Sequence, residues 1–324
     1  KSKRYMKKIY HDAVNTKAIP AVKEVWESKI KQSKKNKHIS YSQLSTYDRC
    51  PKQWYLTYVK KLIPYEGSIH ASFGTAFHET LQEWLQVLYH GKVKDAMAMD
   101  VDALLYENMI KAYKSTKAQN GHEHFATAED LRMFWLDGKH IFEFIKKKRR
   151  AYFNTKGVHL AGVETLLYQE LRPGVMFKGF IDLVFYDARV DRWKIVDIKT
   201  STRGWSALDK KDLNKTQQLI LYKKFFAKQF NIDIDKIDVE YFVVKRRVPV
   251  EADFAAMQRR VQEFSPASGK GNTNKVLKIM QNFVTKAVDH LGNYIEEDHK
   301  ANPTKDNCKW CNVKKMRLCP EAVL

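Results

Sequence analysis

The chain has 324 residues, with 58 Lys and Arg against 37 Asp and Glu, a formal net charge of +21; it is long enough for one large or two smaller domains with a real core. At 44% hydrophobic and 12% aromatic residues it carries too much apolar material for wholesale disorder. No apolar run approaches the roughly 18 residues of a membrane-spanning helix, and no apolar stretch of about 7–15 residues follows the basic start, which predicts a cytoplasmic protein with no membrane partner. The excess charge points to a polyanion, nucleic acid first, because neutralising phosphates releases counterions; a solubilising surface is the plainer alternative.

Residues 1–37 hold twelve Lys or Arg and three Asp or Glu, which is +9 of the total. They read as a basic helical arm, with a helix at 21–30, running into a lysine-rich linker. This sets residues 1–38 apart from a body at 39–324. Ser40 or Ser42 caps a helix through Cys50, and Pro51 starts another that carries Trp54, Tyr55, Leu56 and Tyr58. Helices are predicted at 73–89, 95–117 and 126–150. The last ends in Lys146, Lys147, Lys148, Arg149 and Arg150, charges that suit a helix C-terminus and also a phosphate backbone.

Near residue 158 the texture changes. Runs of β-branched and aromatic residues predict strands at 158–170, 175–186 and 193–200. A helix at 215–230 follows, then a strand at 239–245 ending on Lys245, Arg246 and Arg247. A helix at 274–297 leads to a cysteine-rich end. The body thus divides into a helical part at 39–157, an α/β core at 158–250 and a C-terminal region at 270–324. The fold class is α/β, a central mixed sheet flanked by helices.

Four cysteines are present, Cys50 and the cluster Cys308, Cys311 and Cys319. In a reducing cytosol such a set favours thiolate–metal chemistry over disulfides. A single four-thiolate site suits zinc or an iron–sulfur cluster. Cys50 taken alone is equally a buried inert thiol.

The sharpest pattern lies in Gly179-Phe-Ile-Asp182 and Val196-Asp197-Ile198-Lys199. If Tyr186 and Trp193 close a hairpin, its register sets Asp182 opposite Asp197, and Lys199 shares that face by the strand period of two. Two carboxylates about 5 Å apart repel each other unless a cation sits between them. A hard ion such as Mg²⁺ or Mn²⁺ is the natural filler. It can activate water and offset charge on a phosphate oxygen, while the lysine stabilises the charged transition state. The apolar neighbours Phe180, Ile181, Leu183, Ile195, Val196 and Ile198 mark strands that read as buried on both faces, in which unpaired charges are costly. An exposed hairpin with an acidic pair beside a lysine is the competing reading.

Four more residues read towards this centre. His78 lies in Gly74-Thr-Ala-Phe-His78, where Gly74 and Ala76 permit close packing of a helix on the sheet. Glu164 opens the first strand, with Glu170 as its rival. Gln218 and Tyr222 stand four apart on one helix face, placed to support the lysine or simply to pack.

The order His78, Glu164, Gly179-x-x-Asp182, Asp197-x-Lys199 and Gln218-x-x-x-Tyr222 resembles the RecB-type branch of the PD-(D/E)XK nuclease superfamily. The opening Ser40-Tyr-Ser-Gln-Leu-Ser-Thr-Tyr-Asp-Arg-Cys50-Pro51 and the closing Cys308-x2-Cys311-x7-Cys319-Pro320 extend the resemblance over about residues 39–320. Together they are similar to the iron–sulfur subgroup that includes AddB and the CRISPR-adaptation exonucleases. The resemblance implies a restriction-endonuclease-like core. It implies His78, Asp182, Asp197 and the Ile198 carbonyl as ligands of catalytic Mg²⁺ or Mn²⁺, with Lys199, Glu164, Gln218 and Tyr222 completing the site. It implies a 4Fe-4S cluster on Cys50, Cys308, Cys311 and Cys319. The seven residues between Cys311 and Cys319 exceed the family spacing and keep structural Zn²⁺ open.

The function implied is a metal-dependent DNA exonuclease of recombination, repair or replication, its DNA single-stranded or entering as a duplex end. The basic runs 146–150 and 245–247 would line its DNA channel. An endonuclease of the same fold and a non-catalytic DNA-binding subunit of a helicase–nuclease assembly are the alternatives. Gly269-Lys-Gly271 lacks the spacing and following Lys-Ser/Thr of a Walker A motif, so any helicase or recombination protein would be a separate partner.

Overall fold

The computed structural model describes residues 18–33, 38–153, 156–249, 258–297 and 299–323. Most of the basic arm and its linker, residues 1–17 and 34–37, lies outside these. Helix α1 (Ala18–Ser33) is longer than the expected 21–30 segment, and Val22 is buried in the core. After strand β1 (His38–Ile39) come α2 (Tyr41–Arg49), capped by the Ser40 side chain, and α3 (Pro51–Trp54), which continues as a π-helical turn, Tyr55–Val59. Then follow α4 (Ile69–His90), α5 (Val93–Ala98), α6 (Val101–Gln119), α7 (Ala128–Lys147) and α8 (Arg149–Tyr152).

The sheet is built from β2 (Val158–Arg172), β3 (Val175–Asp187), β4 (Arg192–Ser201), β5 (Ile237–Lys245) and β6 (Val261–Phe264), with β1 on β3. β2 to β4 form an antiparallel meander. β5 returns parallel to β4 after α9 (Ala207–Lys211) and α10 (Leu213–Phe230), because a parallel pair needs a crossover and a helix is the usual one. Helices α11 (Lys270–Ala287), α12 (Lys305–Lys309) and α13 (Asn312–Lys315) complete the chain.

Two cores sandwich this sheet. One gathers α1, α2, α3, α10 and α11 against residues such as Phe177, Ile195 and Tyr241. The other gathers α4 to α7 against Leu183, Val196, Phe242 and Val244. α4 shows why: Phe73, Phe77, Leu81, Trp84 and Leu88 recur at helical spacing and are all buried. Each such side chain contributes about 1.5–3 kcal/mol by leaving water. The molecule is an α/β protein with a mixed six-stranded sheet between helical layers, as the sequence predicts. Among the described residues no helix is long and apolar enough to cross a membrane.

The expected 274–297 helix stops at Ala287. Val288 turns extended and bridges Tyr294, while the Asp289 carboxylate accepts the N–H groups of Leu291 and Asn293. Gly292 takes φ +83° in that turn, a conformation that costs other residues more. The two short strands β1 and β6 have no counterpart among the sequence-predicted strands.

Candidate active site

The expected hairpin register holds from Asp187–Arg192 through Tyr186–Trp193 to Leu183–Val196, and there the β3–β4 ladder ends. One step further, the Asp182 carboxylate accepts the Ile198 N–H at 2.6 Å in place of a ladder bond. β4 instead continues against β5 as far as Ser201–Lys245. On its other edge β3 stays paired with β2, and the pairs Val163–Leu183 and Thr165–Ile181 bracket Glu164 and Asp182. Asp182 therefore stands between Glu164 on β2 and Asp197 on β4. Glu164 holds φ +50°, a region side chains of its kind rarely occupy and that costs on the order of 1–3 kcal/mol.

α4 serves one side of this row. Gly74 lets it approach the sheet, since a Cβ there would stand 3.3 Å from Thr200 Oγ1. His78 Nδ1 then lies 3.6 Å from Asp182 Oδ2. Burial lowers the imidazole pKa to about 4, helped by the Lys199 charge and opposed by the Ile198 backbone. The ring is neutral at pH 7 and able to donate a lone pair. One turn on, Gln82 Nε2 donates to Glu164 Oε1 at 2.7 Å and to the Asp182 carbonyl at 3.4 Å.

α10 serves the other side. Lys199 Nζ lies 2.7 Å from Asp197 Oδ2 and donates to Gln218 Oε1 at 3.1 Å. Burial works to lower the Lys199 pKa, but Asp197, in contact, and Asp182 outweigh it and hold the ammonium charged. Tyr222 closes over β3 at Gly179, where a Cβ would come 2.9 Å from the Tyr222 hydroxyl. This is why the third residue before Asp182 has no side chain. Burial raises the Tyr222 hydroxyl pKa, with Gln218 opposing.

The carboxylates share one electrostatic problem. Burial, then the Asp197 charge, push Asp182 well above the ordinary range, with Glu164 adding and Lys199 opposing. Burial also raises Asp197, against the pull of Lys199, and Glu164, against the Gln82 hydrogen bond. Apart from its ion pair with Lys199, Asp197 Oδ2 has no hydrogen-bond partner. Three acids to one lysine, with a neutral imidazole alongside, is a donor set and charge balance that suits a hard divalent cation. Among the described residues, no three His, Cys, Asp or Glu side chains stand together as a formed metal site.

All the residues expected at the centre meet there. Glu170, the rival of Glu164, is exposed near the far end of β2. Sequence reasoning missed Gln82, although its spacing of four from His78 puts both on one helix face. It also missed Tyr241, whose ring lies 5.9 Å from Lys199 Nζ and whose hydroxyl donates to the Lys215 carbonyl. Tyr41 is a third omission; its hydroxyl donates to the Asn214 carbonyl at the start of α10, and burial pushes its pKa up to about 12.

The basic runs divide. Lys147, Lys148, Arg150 and Arg247 are exposed, and Arg149 and Lys245 half-buried. Lys146 instead donates to the Met99 carbonyl at 2.8 Å. Arg246 is buried, pairs with Asp137 at 2.9 Å and stacks 3.9 Å from the Phe134 centroid; its charge is spent inside the protein. At the other end of the chain, Cys50, Cys308, Cys311 and Cys319 are free thiols lining one small cavity of about 10 Å³. Burial raises the Cys319 thiol, and Glu321 beside it does the same.

A mixed sheet between helical layers, with clustered carboxylates and a lysine where two strands part, defines a restriction-endonuclease-like nuclease. The family model of the PD-(D/E)XK nuclease superfamily matches residues 38–320, and the chain belongs to that superfamily. An exonuclease candidate from Eubacterium rectale has a similar solved structure, covering 78% of this chain and 81% of its own at 13% identity and a TM-score of 0.44. No curated protein matches the sequence.

Proposed function

We propose that the chain is a Mg²⁺- or Mn²⁺-dependent exonuclease that hydrolyses phosphodiester bonds of DNA. The observation that carries this is the row of half-buried Glu164 and Asp182 and buried Asp197, crowded beside Lys199, which pairs with Asp197. His78, Asp182, Asp197 and the Ile198 carbonyl would hold the ion. A divalent cation bound there makes water a better nucleophile and offsets charge on the phosphate.

The remaining chemistry belongs to the chain itself. Lys199 is held protonated by Asp197, so it acts as a donor to phosphate oxygen or attacking water rather than as a base. Gln218 fixes the ammonium from α10, and Gln82 fixes one oxygen of Glu164. Water adds to phosphorus and gives up a proton to solvent, the P–O bond to the leaving sugar oxygen breaks, and that oxygen takes a proton from solvent.

The finer reading is a RecB-type enzyme of recombination or repair working with a separate helicase in the cytoplasm. The four cysteines around one cavity support it. They tie α3 to the chain end as a staple, with no part in hydrolysis. The family resemblance favours a 4Fe-4S cluster and the small cavity a single zinc ion. Absorbance near about 400 nm with iron analysis separates them, since only the cluster colours the protein; a metal-free protein would defeat both.

Incubating end-labelled linear and closed circular DNA with Mg²⁺ or Mn²⁺ tests the activity. Stepwise loss from linear ends with circles intact is the expected result. Cutting of circles would make the chain an endonuclease, and no cutting of any substrate would overturn the enzyme reading.

A further inference from the structure

β3 is buried on both sides at Leu183–Tyr186 but on one side only over residues 177–182, so Phe180 is not the buried neighbour that the sequence predicts. Phe177 and Ile181 belong to the core beneath α10, and Gly179 is closed by Tyr222. The alternate residues Lys178, Phe180 and Asp182 point the other way, towards the side on which α4 brings His78 to Asp182. There Phe180 is 44% exposed, while Leu166, its partner across the ladder, is 2% exposed.

The edge of the strand is open at the same place. β1 pairs with β3 only at Met176 and Phe177, and β4 joins only at Leu183. Among the described residues, no strand pairs with this edge of β3, opposite β2, between 178 and 182, and no other aromatic ring packs on Phe180. Lys178 does: its Nζ lies 5.7 Å from the Phe180 centroid. An aromatic face left to water in an otherwise buried strand, with a cation beside it, is built for a second π-system. Two residues along a strand span about 6.6 Å, so the ring lies within reach of a base adjoining a phosphate at Asp182.

We infer that Phe180, flanked by Lys178, is the stacking platform for an unpaired base beside the scissile phosphate, so that single-stranded DNA or the frayed end of a duplex is the substrate of this centre. The inference rests on the nuclease reading above. A base inside a duplex has both faces covered by its neighbours and cannot use the ring; an unpaired base can, and stacking accepts any sequence.

Two measurements on the full chain test it. In the first, a single-stranded oligonucleotide carrying 2-aminopurine is bound without divalent metal by the wild type and by Phe180→Ala, Phe180→Leu and Phe180→Trp. Quenching and affinity should fall about 5- to 100-fold in the Ala and Leu variants and return with Trp. In the second, one abasic nucleotide is walked along a single-stranded substrate cut in Mg²⁺. The wild type should show raised KM at one position relative to the cut, and Phe180→Ala should show no such position. Equal quenching and KM in wild type and Phe180→Ala, or an abasic penalty that survives the substitution, overturns the platform. If the wild type cuts no DNA, the nuclease reading falls by itself, and the quenching experiment still decides what Phe180 does.

Discussion

Acidic side chains from the β3–β4 hairpin and its neighbouring strands gather at both ends of the hairpin, and the two ends treat them in opposite ways. At the turn, each of three aspartates has a base of its own. Asp187 pairs with Arg189 at 2.6 Å, Asp238 with Arg192 at 2.6 Å, and Asp191 with Lys236. Those hydrogen bonds hold all three below the ordinary carboxylate range. At the splayed end, Asp182 and Asp197 share Lys199, Glu164 has only the Gln82 hydrogen bond, and all three are raised, first by burial. One end is a solvated surface that balances its charge locally. The other crowds three acids around one lysine, so that ionising all of them is costly, a balance that suits a cation-dependent site.

The largest break in that contrast comes from the splayed end. Lys199→Ala or Asp197→Ala should lower cleavage by at least about 10²–10³-fold, with circular dichroism showing the fold intact; wild-type rates in either would remove the assigned centre. Gln82→Met takes away the donor to Glu164 with little change of volume. Cleavage, or metal affinity read by calorimetry, should fall about 10-fold, the low end of the cost of losing an outer group, because Glu164 loses the bond that fixes it beside the ligand Asp182. An unchanged metal affinity and rate would make Gln82 a packing residue. Smaller in scale is a thermal effect. At about 100 times its Kd, Mn²⁺ should raise the wild-type Tm by about 4 °C. Asp182→Asn should abolish that rise while raising the metal-free Tm, because one of the crowded charges is gone.

How much of this the sequence shows depends on the range of the contacts involved. The hairpin register, the Asp182–Asp197–Lys199 pattern and the Gln218–Tyr222 pair follow from periods of two and about four, so they are visible locally. Gly179 is visible as a motif, but its reason, the Tyr222 hydroxyl, comes from a helix that begins after the next strand. The left-handed backbone of Glu164 and the open edge between β1 and β4 have no local signal, since both depend on which strands meet. β1 has two residues and β6 four, too few to show alternation. Arg246 is the sharpest lesson. At the end of a basic run it reads as surface, yet Asp137 and Phe134 on α7 draw it inside, and nothing near it in the chain announces them.

The smallest expected effect belongs to the turn end, and its smallness is the point. Arg192 and Asp238 are exposed, so their pair is screened by water and by salt, and exposed pairs of this kind contribute little. Arg192→Ala should move Tm by no more than about 2 °C at pH 7 and leave metal affinity unchanged. Its signature lies in pH. Arg192 lowers the Asp238 pKa in the folded protein, so the stabilisation is fully present above the unfolded value of about 3.9 and is lost as pH falls through the lower folded value. Thermal melts from pH 6 downward should therefore bring wild type and Arg192→Ala together in acid. A gap that widened in acid, or a variant that bound metal less well, would mean that the two ends of the hairpin are coupled and that the turn is more than a balanced surface.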